Sequence, residues 1–443
     1  MSEKPPVAVL CVDVGSTWTK AALVGPRGEL LGTAQHQTTP PEVLHGISAV
    51  AEALGRQAPV LACSSAGGGL RLAVVGQEPL VSAEAGRRVA LSAGARVVHV
   101  QAGDLSGPEL RALRASRPDV VLLVGGTDGG DARTLLHNAA RLAVNRIAVP
   151  IVLAGNASVR EDATALLRST NRTVVVADNV LPDVGELSPE SAREAIRAVF
   201  LRHVIGGKGL SRGPTFRRLV RLVTPDAVLV GVGRLAAVHG RSTDTGGAGG
   251  AVLVVDVGGA TTDVYSAVSA PEEPAEHAVG LAPQRRTVEG DLGMRISAVG
   301  VATDAVGEKL VDAADGARLR LAAQRRAADP GWVPSTVDGA ATDARLAALA
   351  AVLALRRHLR MIDNQLGPRG AGLLVLSGGV FRHADASAMA NVVGVLRADP
   401  VLRPVLRHAA LRVDSDYVLA PAGLLAHDGQ LAAADALVTR LTG

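Results

Sequence analysis

Short apolar runs separated by polar, glycine-containing turns begin at the start of the chain. The runs Val7–Val14, Thr19–Val24 and Leu30–Thr33 each have the length of a strand, and Val60–Ser64 is a fourth. Between the third and fourth runs, the stretch from Pro41 to Leu54 has the spacing of a helix. The pattern therefore predicts three strands, a helix and a further strand, which is typical of an α/β fold.

The pattern changes after residue 69. Continuous β-branched runs now alternate with amphipathic stretches, which is typical of a parallel sheet covered on both faces. We therefore predict an inserted parallel α/β unit over about residues 95–180. Its predicted strands are Val97–Val100, Val120–Val124, Ile151–Ala154 and Val174–Ala177, and its predicted helices include Asp131–Val144 and Ser158–Ser169.

The rest of the chain predicts a second α/β half. The glycine-rich run from Thr243 to Gly250 is typical of a linker, so we predict a first half over residues 1–250 and a second half over residues 251–443. Within the second half, Ala-, Leu- and Arg-rich patterns predict a helical insertion over about residues 291–365. Two further strands are predicted at Leu373–Leu376 and Tyr417–Ala420.

One motif occurs twice, each time directly after a predicted buried strand. Residues 13–20 have the sequence DVGSTWTK, and residues 256–263 have the sequence DVGGATTD. Glycine lets backbone N–H groups approach a phosphate closely, and Ser and Thr hydroxyls add hydrogen-bond donors. Two such turns on paired apolar strands predict two related halves that bind one nucleotide. The candidate phosphate-binding residues are Gly15, Ser16, Thr17 and Lys20 in the first turn, and Gly258, Gly259, Thr261 and Thr262 in the second.

Asp13 and Asp256 are the candidate catalytic and metal-binding residues. A carboxylate at the end of a buried strand supplies a hard oxygen that can hold Mg²⁺, directly or through water. The alternative is that each aspartate caps its turn, that the threonines are present as strand formers, and that Lys20 faces solvent. Glu289 and Asp291 form another acidic pair, which could position a water or a second cation; Asp291 could equally cap the following helix.

Composition argues against several other classes of protein. Aromatic residues are only 2% of the chain, and its net charge of +4 comes from scattered arginines, so we predict no nucleic-acid partner. No run approaches the ~20 apolar residues of a membrane span, and Glu3 and Lys4 do not begin a signal-peptide pattern. Cys11 and Cys63 lack metal-ligand spacing and lie in or beside apolar runs, which predicts buried thiols and a cytoplasmic location.

A third element, with the sequence LSGG at residues 376–379, follows a strand in the last third of the chain. The order of the three elements resembles the superfamily of actin, the sugar and acetate kinases, and the heat-shock chaperone ATPases. The resemblance implies two ribonuclease-H-like halves that close on ATP and Mg²⁺. It also implies that the first two turns hold the phosphates and that Gly378 and Gly379 pack against the adenosine.

Four further segments narrow the resemblance. Together they are similar to the MutL family, also called GlmL, the accessory protein of glutamate mutase, which is unrelated to the mismatch-repair protein of the same name. The similarity covers nearly the whole chain, including the inserted unit. The segments are CSSAGGGLR at residues 63–71, GGTDGG at 125–130, ADNVLP at 177–182 and TVEGDLGMR at 287–295.

What the family resemblance implies is an ATP-dependent reactivating factor for an adenosylcobalamin-dependent mutase. Such a factor opens the mutase so that damaged cobalamin can be exchanged, for which a hinged ATPase is suited. No Asp-x-His-x-x-Gly cobalamin-binding sequence lies near any of the 11 histidines, so we expect the mutase to hold the cofactor. The expected partners are the mutase subunits, with glutamate mutase as the first choice; the oligomeric state is left open.

Other functions stay open at this point. One is a small-molecule kinase of the same fold, which needs a pocket for its substrate. Another is an ATP-driven activator of a 2-hydroxyacyl-CoA dehydratase, which needs cysteines that reach a shared iron–sulfur cluster. A third is a scaffold that binds nucleotide without hydrolysis. In the inserted unit, Gly125–Gly130 ends a predicted strand, where open parallel sheets bind ligands; a tight turn is the alternative.

Overall fold

A computed structural model describes most of the chain. The described residues are 7–15, 17–55, 58–65, 70–93, 95–145, 147–200, 211, 214–243, 250–268, 284–362, 364, 366 and 369–442. They belong to two compact units. The first unit contains the described residues up to Ser65 and from Arg218 on, and the second, the inserted unit, contains those in between.

The described residues form fifteen strands and sixteen α-helices. In chain order the strands are β1 (Val9–Val14), β2 (Trp18–Val24), β3 (Leu30–Gln37), β4 (Val60–Ser64), β5 (Arg71–Gly76), β6 (Arg96–Ala102), β7 (Val120–Leu123), β8 (Ile151–Leu153), β9 (Val174–Val176), β10 (Val220–Val223), β11 (Ala251–Val257), β12 (Thr262–Ala267), β13 (Gln284–Glu289), β14 (Ala371–Ser377) and β15 (Ala410–Val413). The helices are α1 (Val43–Ala53), α2 (Ser82–Ser92), α3 (Gly107–Ala115), α4 (Arg133–Val144), α5 (Arg160–Arg168), α6 (Glu190–Val199), α7 (Pro214–Leu219), α8 (Thr224–Thr243), α9 (Ala298–Gly307), α10 (Ala313–Ala328), α11 (Val337–Met361), α12 (Gly379–Arg382), α13 (Ala386–Ala398), α14 (Leu402–Val405), α15 (Leu419–His427) and α16 (Leu431–Val438).

The first unit contains two five-stranded sheets of the same topology. One has the strand order β10-β4-β1-β2-β3 and the other has the order β15-β14-β11-β12-β13. In each sheet the first three strands along the chain are antiparallel neighbours, and the last two run parallel to the first. The predicted α/β fold with two related halves is therefore confirmed. The boundary after residue 250 stays a prediction, because both halves pack into one unit.

The inserted unit contains a parallel sheet with the order β6-β5-β7-β8-β9. It extends on both sides of the predicted range of about 95–180, because the unit comprises residues 66–217. Strand β5, which lies second in this sheet, and helix α2 both precede that range. The sequence interpretation does not include β5, because the apolar run of this strand comes soon after the glycines at 67–69, which mark the end of the preceding segment.

The strand predicted at Tyr417–Ala420 is wrong. The last strand lies earlier, at Ala410–Val413, and helix α15 begins at Leu419. The carboxylate of Asp414 accepts hydrogen bonds from the backbone N–H groups of Val418 (2.8 Å) and Leu419 (3.4 Å), which stabilises the start of that helix. A four-residue apolar run does not by itself distinguish a strand from a helix.

The predicted helical insertion over about residues 291–365 contains α9, α10 and α11, which lie between β13 and β14. The predicted linker at 243–250 and the glycine run at 66–69 fall largely or wholly outside the described residues.

An apolar core joins the two sheets of the first unit. One face of each sheet contributes alternate residues to it, for example Val9 and Cys11 of β1 and Val252 and Val254 of β11. Helices α8 and α15 complete this central core. Helix α15 follows the second sheet but packs on β1 and β4, whereas α8 follows the first sheet and packs on β11, β12 and β13. The two helices therefore tie the halves together.

Helices α8 and α15 approach each other at two glycines. A Cβ atom on Gly423 of α15 would lie 1.7 Å from the carbonyl oxygen of Ala227 in α8. A Cβ atom on Gly231 of α8 would lie 2.1 Å from the carbonyl oxygen of Leu419 in α15. Neither helix has room for a side chain at these points, so glycine is required for the backbones to pack this closely.

We expect Gly423→Ala to destabilise the protein by about 3 kcal/mol or more, because overpacking must push the two helices apart. Gly394→Ala is the matched control: Gly394 is also inside a helix, α13, but nothing lies within 4 Å of its added Cβ. That variant should be neutral or slightly stabilised. Urea unfolding of both variants measures the difference, and equal stabilities would contradict the close packing.

His358 is buried between α11 and the second sheet. Its Nδ1 lies 3.0 Å from Oγ1 of Thr287 and its Nε2 lies 2.9 Å from Oγ of Ser266. Burial lowers the pKa of His358 to about 3, with a smaller contribution from Arg285. The ring is therefore neutral in the folded protein at neutral pH and links two strands to the helix above them.

This buried histidine predicts a pH-dependent stability. Between its ordinary pKa of 6.5 and its folded value of about 3, the unfolded chain binds the proton and the folded protein does not, so stability falls as the pH decreases through this range. The loss approaches roughly 5 kcal/mol at pH 3. His358→Gln should flatten this part of the stability profile, measured by urea unfolding between pH 7.5 and 4. The exposed His383→Gln should leave its slope unchanged.

Candidate functional site

Asp13 and Asp256 occupy equivalent positions, each one residue before the end of the first strand of its sheet. Because side chains alternate along a strand, Asp13 shares its face with Cys11, and Asp256 shares its face with Val254. Both of these faces belong to the central core between the sheets. The two carboxylates therefore lie at the edge of that core, at the end where the strands finish.

The repeated motif forms the same tight turn in both halves. The N–H of Gly15 donates to the carbonyl of Trp18 (3.0 Å), and the N–H of Gly258 donates to the carbonyl of Thr261 (2.9 Å). A Cβ on Gly15 would lie 2.7 Å from the oxygen of Trp18, so this turn requires glycine. Ser16, a predicted phosphate-binding residue, lies outside the described residues.

The two turns come close to each other. A Cβ added to Gly259 would lie 3.9 Å from Cγ2 of Thr17. The second turn is also fixed from the following segment, because the N–H groups of Met294 and Arg295 donate to the carbonyls of Gly258 (2.9 Å) and Gly259 (2.8 Å). The two copies of the motif, one from each half, therefore lie next to each other.

Asp13 is a buried carboxylate with three hydrogen-bond donors around it. The hydroxyl of Thr224 donates to Oδ1, the thiol of Cys63 lies 3.5 Å from the same oxygen, and the hydroxyl of Tyr417 donates to Oδ2 at 2.5 Å. Only 4% of Asp13 is exposed. These donors come from the strand beside β1, the start of α8 and the turn before α15, so the fold positions Asp13 from several sides.

Lys20 points toward the same site. It lies directly opposite Asp13 in the β1–β2 ladder, and its Nζ is 3.8 Å from the centre of the Tyr417 ring. This is a cation–π distance. Within the described part of the chain, Lys20 makes no ion pair. The solvent-facing alternative for Lys20 is therefore not observed, and its ammonium group is available to an anionic ligand.

Asp256 has a raised pKa. The main cause is burial, which removes water from its carboxylate. Lys20 lowers the pKa again, as does a hydrogen bond with Ser377. Asp263, directly opposite on β12, and Asp13 raise it by repulsion. The carboxylate of Asp256 therefore has a higher affinity for a proton than that of an ordinary aspartate.

Asp414 adds a further carboxylate beside Asp256. Burial raises the pKa of Asp414 to about 6, and the backbone N–H groups of Val418 and Leu419 oppose this shift. Asp256 contributes repulsion and Lys20 contributes attraction. The sequence analysis does not identify Asp414, because it predicts the last strand at Tyr417–Ala420, whereas the observed strand ends at Val413, directly before Asp414.

The two halves place different chemistry at equivalent positions around their aspartates. One position lies opposite the aspartate on the parallel neighbour, one directly follows the next strand, and one lies opposite on the antiparallel neighbour. The equivalent pairs are Cys63 and Ser377, Thr224 and Asp414, and Lys20 and Asp263. Asp13 is thus surrounded by neutral donors and a cation, whereas Asp256 lies beside further carboxylates.

This donor set fits a divalent cation that is bound together with phosphate. Asp13 and Asp256 repel each other, and the single ammonium group of Lys20 does not ion-pair with either. Among the residues the structure describes, no group of three His, Cys, Asp or Glu side chains is arranged to hold a metal ion on its own. A magnesium ion here would take its remaining ligands from phosphate and water, as Mg²⁺ commonly does.

The two threonines of the second turn have different surroundings. The hydroxyl of Thr261 lies 3.2 Å from Oδ2 of Asp263 and stays partly exposed. Thr262 is fully buried, and its hydroxyl has no partner among the described residues. Because Thr262 alternates with Asp263 along β12, its side chain points to the opposite face of the sheet. Thr261 is therefore the better placed of the two for a phosphate.

Gly378 and Gly379 also differ. Gly378 has a φ of 122°, and a Cβ on it would lie 2.4 Å from the carbonyl oxygen of Val257. This glycine lets β14 turn against the end of β11. Gly379 begins α12, and nothing lies within 4 Å of its added Cβ. Only Gly379 leaves open space of the kind an adenosine contact needs; that contact stays a prediction.

Glu289 and Asp291 are held by an arginine. Arg357 of α11 forms ion pairs with Glu289 (2.8 Å), Asp291 (3.1 Å) and Asp304 (2.5 Å). Burial raises the pKa of Glu289, and Arg357 opposes the shift. The residue at the N-cap position of α9 is Ser297, so the capping role considered for Asp291 is not observed. The acidic pair fixes the segment that follows β13 to α11.

The glycine loop of the inserted unit is held by two buried amides. Asn156 accepts a hydrogen bond from the N–H of Gly129 (3.1 Å) and donates to the carbonyl of Gly130 (3.1 Å). Asn179 donates to the carbonyl of Gly126 (2.9 Å). These contacts agree with the tight-turn interpretation, and a ligand at this edge stays a prediction.

The free thiols of Cys11 and Cys63 are buried, as the sequence predicted. Burial raises the pKa of Cys11 to about 12 and that of Cys63 well above its usual value. Both groups are therefore protonated and shielded at neutral pH. In the described part of the chain, no helix has the length and apolar character needed to cross a membrane.

The repeated sheet topology, with one glycine turn and one aspartate from each half at the same core, defines a two-halved α/β protein of the actin-like class. Sequence comparison identifies the family. The chain belongs to the MutL family, whose model, described as MutL protein, matches residues 9–441. Protein MutL of Clostridium tetanomorphum is 34% identical over 450 residues, which cover 95% of this chain and 96% of that protein.

Solved structures are more distantly similar. A nucleotide-free structure of acetone carboxylase has 14% identity and a TM-score of 0.40, covering 87% of this chain and 67% of that chain. Xylulose kinase from Rhodospirillum rubrum has 16% identity and a TM-score of 0.34, covering 97% and 92% of the two chains.

The raised pKa of Asp414 predicts how the free energy of unfolding depends on pH. Between its ordinary pKa of 3.8 and about 6, the folded protein binds a proton that the unfolded chain has released, so stability falls as the pH rises through this range. At pH 8 the cost is roughly 3 kcal/mol. Asp414→Asn keeps an acceptor for the helix start and should stabilise the protein at pH 8 but not at pH 4. Asp416→Asn, on a more exposed ion pair, is the control; an equal gain in both variants would contradict the assignment.

Proposed function

We propose that this protein is an ATP-dependent reactivating factor for an adenosylcobalamin-dependent mutase, with glutamate mutase as the first candidate. The observation that carries the proposal is the pair of equivalent glycine turns, with Thr17 close to Gly259 and with Asp13 and Asp256 beside the same core. Two related halves that present such turns to each other suit a nucleotide bound between them. Membership of the MutL family supports the partner class.

In this proposal, the two turns, Lys20 and Asp13 bind different parts of ATP and its metal ion. The backbone N–H groups of the two turns bind phosphate oxygens, and the unpaired ammonium of Lys20 adds a positive charge. The carboxylate of Asp13, fixed by its donors, would hold a magnesium ion or the water ligands of that ion. When bound, the ion would neutralise charge that develops on the phosphates.

Asp256 has the role of proton acceptor. Its raised pKa makes it a better base than an ordinary aspartate, while the ammonium of Lys20 keeps the pKa from rising further. In this role Asp256 orients a water toward the terminal phosphate and takes its proton. Asp13 and Asp256 thus serve different functions although their strand positions are the same.

Hydrolysis can drive a conformational change because both halves contact the nucleotide. Loss of the terminal phosphate removes an interaction that holds the turns together, and the halves can then separate around α8 and α15. A mutase that binds one arrangement better than the other is shifted toward its open form, from which damaged cobalamin leaves.

Two alternatives remain distinguishable by observation. A small-molecule kinase would release ADP in the presence of a sugar or an acid without any mutase. A dehydratase activator would need an exposed cluster, and the buried thiols of Cys11 and Cys63 argue against that function.

The decisive experiment uses a mutase inactivated with hydroxocobalamin. We expect this protein, with ATP, Mg²⁺ and fresh adenosylcobalamin, to restore mutase activity, and we expect no recovery when ATP is omitted. Glutamate mutase, an aminomutase and an acyl-CoA mutase should be tested in parallel. Failure with all three would overturn the proposed partner class.

A second prediction concerns Asp256. Asp256→Asn should lower the rate of ATP hydrolysis by about 10²-fold or more, because the variant loses the proton acceptor. ATP binding should persist, and Trp18 can report it: the residue lies beside the first turn and is 41% exposed, and Trp332→Phe removes the other tryptophan.

Asp385→Asn is the matched control for Asp256→Asn. Asp385 is exposed and caps α13, a role that Asn also fills, so its ATPase rate should equal that of the wild type. Unchanged hydrolysis in Asp256→Asn would show that another residue accepts the proton.

A further inference from the structure

Asp13 and Lys20 carry opposite charges and lie directly opposite each other on antiparallel strands. Side chains in this arrangement have Cβ atoms about 5 Å apart, which lets opposite charges form a stabilising ion pair. Here they do not. Both charged groups turn instead toward one residue, Tyr417.

Tyr417 contacts each of them with a different part of its side chain. Its hydroxyl donates to Oδ2 of Asp13 at 2.5 Å, while its ring lies under Nζ of Lys20, 3.8 Å from the ring centre. A phenol is protonated at neutral pH, so this hydroxyl is available as a hydrogen-bond donor. The residue belongs to the second half of the chain, whereas both charged residues belong to the first.

The backbone of Tyr417 is unusual as well. Its φ of 56° lies in the left-handed region, which a bulky residue adopts only when its surroundings require it. Strain of this kind concentrates at functional sites. A glycine or an asparagine would fit the same turn with less strain, so the turn itself does not explain a tyrosine at this position.

We propose that Tyr417 is a positioning residue of the nucleotide site: it keeps Asp13 and Lys20 from neutralising each other, so that one remains free for the metal ion and the other for phosphate. This inference rests on the proposed ATPase function. It assigns the hydroxyl to the geometry of Asp13, and the ring to the placement of Lys20.

The two parts of the side chain can be removed separately. Tyr417→Phe keeps the ring and loses the hydroxyl, so kcat for ATP should fall about tenfold while KM changes little. Tyr417→Leu loses both parts, and Lys20 can then pair with Asp13; we expect KM for ATP to rise about tenfold in addition. Tyr265→Phe is the control, because it removes a phenol hydroxyl from the same core without a contact to Asp13 or Lys20.

A double-mutant cycle excludes a merely structural role. If Tyr417 acts through Lys20, then Lys20→Met should raise KM strongly in the wild type but hardly at all in the Tyr417→Leu background. Additive effects, or wild-type kcat and KM in Tyr417→Phe, would overturn the inference. If the wild-type protein itself neither binds nor hydrolyses ATP, the proposed function fails instead, and the two failures are thus distinct.

Discussion

The close approach of α8 and α15 is the constraint on which the site depends. Gly231 and Gly423 let the two backbones touch, and each helix begins close to Asp13. Thr224 is the first residue of α8, and Tyr417 lies two residues before α15. Both donate to Asp13. A wider helix crossing would withdraw these donors, so backbone packing away from the turns sets the geometry of the carboxylate.

The two halves share one backbone arrangement but differ in the side chains around their aspartates. Both sheets have the same strand order and place an aspartate at the same point. The surroundings then differ: a neutral donor stands at Thr224 where the other half has a carboxylate at Asp414, and a cation stands at Lys20 where the other half has Asp263. The fold places two carboxylates close together, and these few differences between equivalent positions give each carboxylate a different chemical environment.

Much of this architecture could be predicted from sequence, because its signals are local. The repeated motif identified the two turns and both aspartates, and apolar runs located most strands. Thr224 and Tyr417 were missed for a physical reason: their hydrogen bonds to Asp13 join residues 211 and 404 positions apart, and no local pattern encodes such pairings. The end of β15 and the start of α15 were also predicted wrongly, because the hydrogen bonds from Val418 and Leu419 to Asp414 depend on side-chain geometry rather than on hydrophobicity.

The place of the inserted unit has a mechanical consequence. Strands β4 and β10 are parallel neighbours, and parallel neighbours need a crossover connection. Here residues 66–217 lie within that connection, so the whole unit is tethered between the end of one strand and the beginning of the other. The same two strands carry Cys63 and lead into Thr224, which both contact Asp13. A force on the inserted unit would therefore act, through the covalent chain, on the two strands whose ends position the carboxylate of Asp13.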